Sequence, residues 1–159
     1  MSSLMLRSVS KESVVIRAST RKRRIIETAD LFPGSLDPAF KDLKTNKKNV
    51  ARPETKFQIY EQVVDATIIE MVNSFTKDAS LLCVTEEQII CFTEDHPKGL
   101  TRDNGILFLL QDDDENFFIV CLEIVLAAMQ IGLKLTPFEI CDDLFDCRLP
   151  VRFAFPKNN

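Results

Sequence analysis

The sequence predicts an α/β protein: a three-layer α-β-α sandwich with a small mixed sheet, preceded by a flexible basic tail. Three observations carry that class. Five consecutive apolar residues, Ile106 to Leu110, suit a strand buried on both faces of a helix-covered sheet. Upstream, apolar residues recur every three or four positions, and downstream Val151, Phe153 and Phe155 alternate, so helix and strand periods share one chain. Charge also divides the molecule. Residues 1–56 carry 13 Lys/Arg against 6 Asp/Glu, and residues 57–159 carry 7 against 18.

Residues 1–52 read as the tail. Pro33-Gly34, Asp37-Pro38 and Arg52-Pro53 punctuate it and core material is sparse, which is the composition of a mobile segment with transient helix around residues 35–43. Its first 24 residues are rich in Arg and Ser with one acid, Glu12, as in a transit peptide. The compact run Arg21, Lys22, Arg23, Arg24 reads equally as a nuclear signal. Such a tail can touch nucleic acid, fold back on its own acidic domain, or only carry an address.

Residues 53–159 read as the acidic α/β domain. Phe57, Tyr60, Val64, Ile68, Met71 and Phe75 form the apolar stripe of one long amphipathic helix. Leu81–Val84 suits a short strand. Thr85 and Gln88 have the spacing of a capping box, which places a short helix over residues 86–92. The loop "HPKGLTRDNG" leads to the buried strand. Asp112, Asp113, Asp114 and Glu115 then sit where a helix begins, because carboxylates there meet unbonded amides and the positive end of the helix dipole. One or two acids would suffice for that, so four ask for a second explanation. The helix itself runs over residues 116–131 to a stop at Gly132, and is apolar nearly all round. "LKLTPFEI" is a strand cut by Pro137, "CDDLFDCRL" a short helix or turn, and "PVRFAF" the closing strand.

Several chemistries are excluded on inventory. The one histidine, His96, lies in a loop beside a proline, and no G-x-S-x-G, phosphate loop or dinucleotide fingerprint is present, so the reading is non-enzymatic and without cofactor. The five cysteines, Cys83, Cys91, Cys121, Cys141 and Cys147, show no C-x-x-C pair. Cys83, Cys91 and Cys121 read as small buried side chains, and the five together point to a reducing compartment with no metal site. No apolar run is long enough to span a bilayer without interruption. An acidic domain repels phosphate, so its partners are basic protein surfaces.

The segment "NGILFLLQDDDENFFIVCLEIVLAAMQIGLKL", with "VVDATIIEMVNSF" and "CVTEEQIICF" before it and "LPVRFAFPKN" after it, resembles the growth-arrest and DNA-damage-inducible stress-sensor family, whose fold is that of the kink-turn-binding ribosomal proteins. The likeness covers roughly residues 57–159. Here the loop "TEDHPKGLTRDNG" is longer than the family's, and the unit before the closing strand is shortened to "CDDLFDC". The resemblance implies a stress-response adaptor in nucleus and cytoplasm. Its partners would be protein kinases of a MAP kinase cascade, a cyclin-dependent kinase or its regulators, and the sliding clamp. Partner binding would fall to Asp112, Asp113, Asp114 and Glu115, and homo-oligomer formation to Val125, Leu126 and Met129 of the long helix. Two other readings stay open: RNA binding, which among these residues only the tail could perform, and inhibition of a metabolic enzyme by a protein resembling ornithine decarboxylase antizyme.

Overall fold

The computed structural model describes residues 4–96, 105–125 and 129–157. The strands are β1 (Leu6–Ile16), β2 (Ser35–Leu36), β3 (Thr55–Gln62), β4 (Ala66–Thr67), β5 (Cys83–Val84), β6 (Ile106–Gln111), β7 (Phe117–Val125), β8 (Gln130–Pro137), β9 (Leu144–Phe145) and β10 (Arg152–Pro156). The α-helices are α1 (Ile68–Phe75) and α2 (Glu86–Asp95), joined by short 3-10 turns. Eight strands form one mixed sheet in the order β1-β3-β10-β6-β7-β8-β2, with β5 also paired to β6. β10 and β5 run parallel to β6, and β2 runs parallel to β8; the other pairs, β10 with β3 among them, are antiparallel. Helices lie on both faces, so the α/β sandwich class holds, around a larger sheet than the sequence suggested.

β6 is the spine. Ile106, Phe108 and Leu110 enter the core beneath α2, while Leu107 and Leu109 enter the core beneath α1. This two-faced burial is what five successive apolar residues foretold. The closing strand behaves as its alternation required, since Val151, Phe153 and Phe155 all join the α1-side core. Both helices start at a capping box. Thr85 and Gln88 cap α2 as expected, and Thr67 with Glu70 caps α1.

Three expectations are corrected. The single helix expected over residues 57–75 is a strand, a turn and an eight-residue helix. Phe57 and Ile59 face the α2-side core and Tyr60 the opposite side, so period two wins until Thr67 starts α1. The long apolar helix expected over residues 116–131 is a hairpin, β7 with β8, in register from Phe118↔Pro137 to Val125↔Gln130. Its apolar density belongs to strands covered on both sides: Val120, Leu122, Ile131, Leu133 and Leu135 join the α2-side core and Ile119 the other. Gly132 is not a helix stop. A Cβ there would stand 2.8 Å from the Val125 side chain and 3.1 Å from the Ser35 carbonyl, so glycine is what lets β2 lie against β8.

The third correction concerns residues 1–52, expected as a flexible tail. β1 pairs with β3 along Leu6–Ile16, with a register shift between Ser8 and Ser13. Ile25, Phe32, Phe40 and Leu43 are buried in the α2-side core, and Leu36 packs on it beside β8. The N-terminal segment therefore packs into the same core as one face of β7 and β8. Sparse hydrophobics suffice because each fills a position on a sheet that is already built.

Candidate functional site

The acids expected to greet a partner are a hairpin turn between β6 and β7. The Asp112 carboxylate accepts hydrogen bonds from the backbone amides of Asp114 (3.0 Å) and Asn116 (2.8 Å) and from the Asn116 side chain. Glu115 takes a positive φ of 70° to close the turn. Asp113 accepts from the Lys47 and Lys48 amides, and Glu115 pairs with the Lys48 ammonium at 3.1 Å. Only Asp114 and Glu115 of the four are exposed. Asp residues hold such turns by bonding amides a few positions ahead, which is the second explanation that four successive acids demanded.

The self-association residues are not on a helix. Val125 ends β7, Met129 is exposed in the hairpin connection with φ 52°, and Leu126 lies outside the described residues.

The basic run is divided. Arg21 and Lys22 are exposed. Arg23 reaches the Glu87 carboxylate at 2.6 Å and Glu94 at 2.9 Å, and Arg24 donates to the Leu43 carbonyl. Arg17 joins Glu94 and Asp95. The Arg17 and Arg23 contacts bind the N-terminal segment to α2, the fold-back that opposite charges allowed. Burial alone would raise the Glu87 pKa, but the bonds from Arg23 outweigh it and hold the carboxyl down to about 2. Its neighbour Glu86 accepts from the Ile25 amide and the Thr45 hydroxyl, and burial pushes its pKa up. As an extended nuclear signal, the run would have to give up these bonds.

The open site lies on the opposite face. There, among the described residues, residues 138–145 cross over β7 and β8. Between that crossing and the sheet is a cleft of about 310 Å³. Its floor is Ile119, Cys121, Glu123, Lys134 and Thr136, and its walls include Ile68, Ile140, Phe145 and Val151. Glu123 and Lys134 are diagonal neighbours across the hairpin and pair at 3.1 Å. Phe138 anchors the crossing by an edge-on contact with Phe117, centroids 6.5 Å apart. A second cleft of about 390 Å³ opens on the other side of the 138–140 turn, among Phe117, Phe118, Phe138 and Glu139.

Buried Gln62 holds the far wall. Its amide donates to the Val64 and Phe145 carbonyls, and its oxygen accepts from the Val151 amide. β4 and β9 pair beside it, and the Cys147 amide donates to Asp65 at 2.8 Å. These bonds bring residues 64–67 and 138–149 together. Four large apolar side chains stand exposed there: Val64 (43%), Ile140 (59%), Leu144 (68%) and Leu149 (59%). The stretch "FEICDDLFD" mixes two of them, Ile140 and Leu144, with acids. In the sequence it reads only as a turn, and the alternation of exposed apolar and acidic residues in it was the signal available.

The cleft thiols are poor nucleophiles. Burial pushes Cys121 up to about 12 and raises Cys141, whose neighbours Asp142 and Asp143 add to the effect. Both stay protonated at neutral pH, and it is the thiolate that attacks. His96 ends α2 and stacks near Phe92, centroids 5.4 Å apart. Asp65, Asp146 and Cys147 bring three possible ligand atoms within 4.8 Å, but Arg148 already grips Asp146 in a two-pronged bond. No helix among the described residues is long and apolar enough to cross a membrane.

No protein-family model matches the chain. No curated protein and no solved structure matches it either.

Proposed function

We propose that this chain is a non-enzymatic regulator that acts by binding another protein through the cleft between β7–β8 and residues 138–145. The observation that carries the reading is the exposure of Val64, Ile140, Leu144 and Leu149 on the segments 64–67 and 138–149, which pair through β4 and β9, with Ile140 lining the cleft itself, since exposed apolar surface marks interaction sites. The raised cleft thiols and the partnered acids of the β6–β7 turn support binding over catalysis. Action in the nucleus or cytoplasm accords with five cysteines that form no disulfide.

The stress-adaptor role, with its MAP kinase cascade, cyclin-dependent kinase and sliding-clamp partners, is kept as a proposal about who binds. Of the segments that carried the resemblance, the acidic run and the expected long helix are a turn and a hairpin here, so those partners are to be tested at the cleft and not at residues 112–115. RNA binding by the N-terminal segment is disfavoured, because Arg17 and Arg23 are already engaged by Glu87, Glu94 and Asp95.

The test is affinity purification with quantitative mass spectrometry, comparing wild type with Ile140→Ser/Leu144→Ser. Both side chains are exposed, so the variant is expected to fold normally and to lose its specific partners. An unchanged set of bound proteins would overturn the reading.

A further inference from the structure

The cleft has a chemical bias beyond its apolar mouth, and this inference rests on the docking reading above. Glu139, Asp142 and Asp143 fall within five residues of one another, on either side of Ile140 and before Leu144. Asp142 and Asp143 are exposed, as are Glu139 and Ile140. Among the described residues none of the three carboxylates is paired with a cation, whereas nearby Asp146 is held by Arg148 and Glu123 by Lys134. Asp143 also lines the cleft, and Glu139 lines its neighbour across the 138–140 turn. The slot's cation, Lys134, is thus already matched by Glu123, and the charge left without a cation partner on the 138–145 side is acidic.

We infer that the occupant is a basic amphipathic segment of a partner protein, with an apolar side chain seated between Ile119, Phe145 and Val151 and Lys or Arg side chains over Asp142, Asp143 and Glu139. Complementary charge of this kind speeds encounter and rejects wrong partners more than it adds affinity. Burial of the apolar anchor supplies the holding force. An acidic segment would meet like charge, and a purely polar basic segment would leave the slot unfilled. A second copy of this chain is a weaker fit, because Arg17 and Arg23 of its basic half are bound to its own α2.

The experiment has two arms. In the first, three labelled fifteen-residue peptides are titrated by fluorescence anisotropy: a Leu/Lys amphipath, its Leu/Glu counterpart and a Ser/Lys peptide without apolar residues. The Leu/Lys peptide is expected to bind at least tenfold more tightly than either control. Its affinity should fall at least tenfold in Asp142→Lys/Asp143→Lys, and separately in Ile140→Ser/Leu144→Ser, both verified as folded by thermal melting. Equal binding of the Ser/Lys peptide, or indifference to both variants, would overturn the inference. In the second arm a photo-crosslinking amino acid replaces Leu144 in cells, and the captured peptide is sequenced. A basic amphipathic peptide supports the inference. An acidic or neutral peptide, or a peptide of this chain, overturns it while leaving protein docking intact. A crosslink to no protein at all overturns the docking reading itself.

Discussion

Glu86 and Glu87 are neighbours in the first turn of α2, yet their surroundings push them in opposite directions. Glu87 is held down to about 2 by Arg23 against the effect of its burial. A depressed carboxyl contributes stability that is complete above its unfolded value of about 4.3 and lost as pH falls towards 2. Arg23→Ala is therefore expected to cost about 3 kcal/mol at pH 7, because it leaves a nearly buried carboxylate without its cation. Chemical denaturation across pH should show the gap between wild type and variant closing between about pH 4.3 and pH 2. A gap that persists at pH 2 would mean that Arg23 acts by packing. Glu86 has the opposite sign. Burial raises its pKa, so its ionisation opposes folding as pH climbs above the unfolded value. Glu86→Gln keeps an acceptor for the Ile25 amide and a partner for the Thr45 hydroxyl, and should be at least as stable as wild type at pH 7. Glu86→Ala strands both groups and should cost about 1–3 kcal/mol. An equal loss in the Gln variant would show that the charge itself is used.

At the scale of the element, the β6–β7 turn separates two roles that the run of acids conceals. Asp112→Ala removes three bonds within the turn and is expected to lower stability by about 1–3 kcal/mol. Asp114→Lys, on an exposed side chain, should stay within about 0.5 kcal/mol. Thermal unfolding midpoints of the two variants decide the matter, and a destabilised Asp114→Lys would sink the assignment. This turn also shows why part of the fold was legible and part was not. The capping box at Thr85, the buried run of β6 and the alternation of β10 are local signals that settle their own structure; the one at Thr67, inside a stripe of helical spacing, was missed. Residues 117–125, "FFIVCLEIV", are apolar without a period, and such a run is a buried helix or a buried strand by pattern alone. Its β-branched and aromatic content favours a strand, but the acids before it have an equally sound reading as a helix start. The choice is made by the Asx bonds of Asp112 and by the pairing partner β8, and neither is visible one residue at a time. The docking cleft was illegible for the same reason: its floor comes from β7 and β8, and its wall from residues 138–151.

For the whole molecule, the opposite charges of the two halves are an internal match before they are an external one. The basic half supplies the edge strand β1, the Arg17 and Arg23 clasp on α2, and side chains in the same core as one face of the β7–β8 hairpin. Ile16, Ile25 and Phe40 are all at most 1% exposed, and losing one large buried side chain such as Phe40 costs about 3–5 kcal/mol. A whole domain is stable by only about 5–15 kcal/mol. Removing residues 1–52 should therefore leave no folded remainder, whereas removing a true tail would leave the unfolding midpoint unchanged. The measurement is circular dichroism and urea denaturation of residues 53–159 beside the full chain. The expected outcome is loss of the cooperative transition, with partial recovery when a peptide of residues 1–52 is added in trans, since association of the two pieces stabilises the folded complex over the unfolded fragment. A fragment that unfolds cooperatively at the full chain's midpoint would show that the acidic half is a domain in its own right and that the basic half is a dispensable appendage.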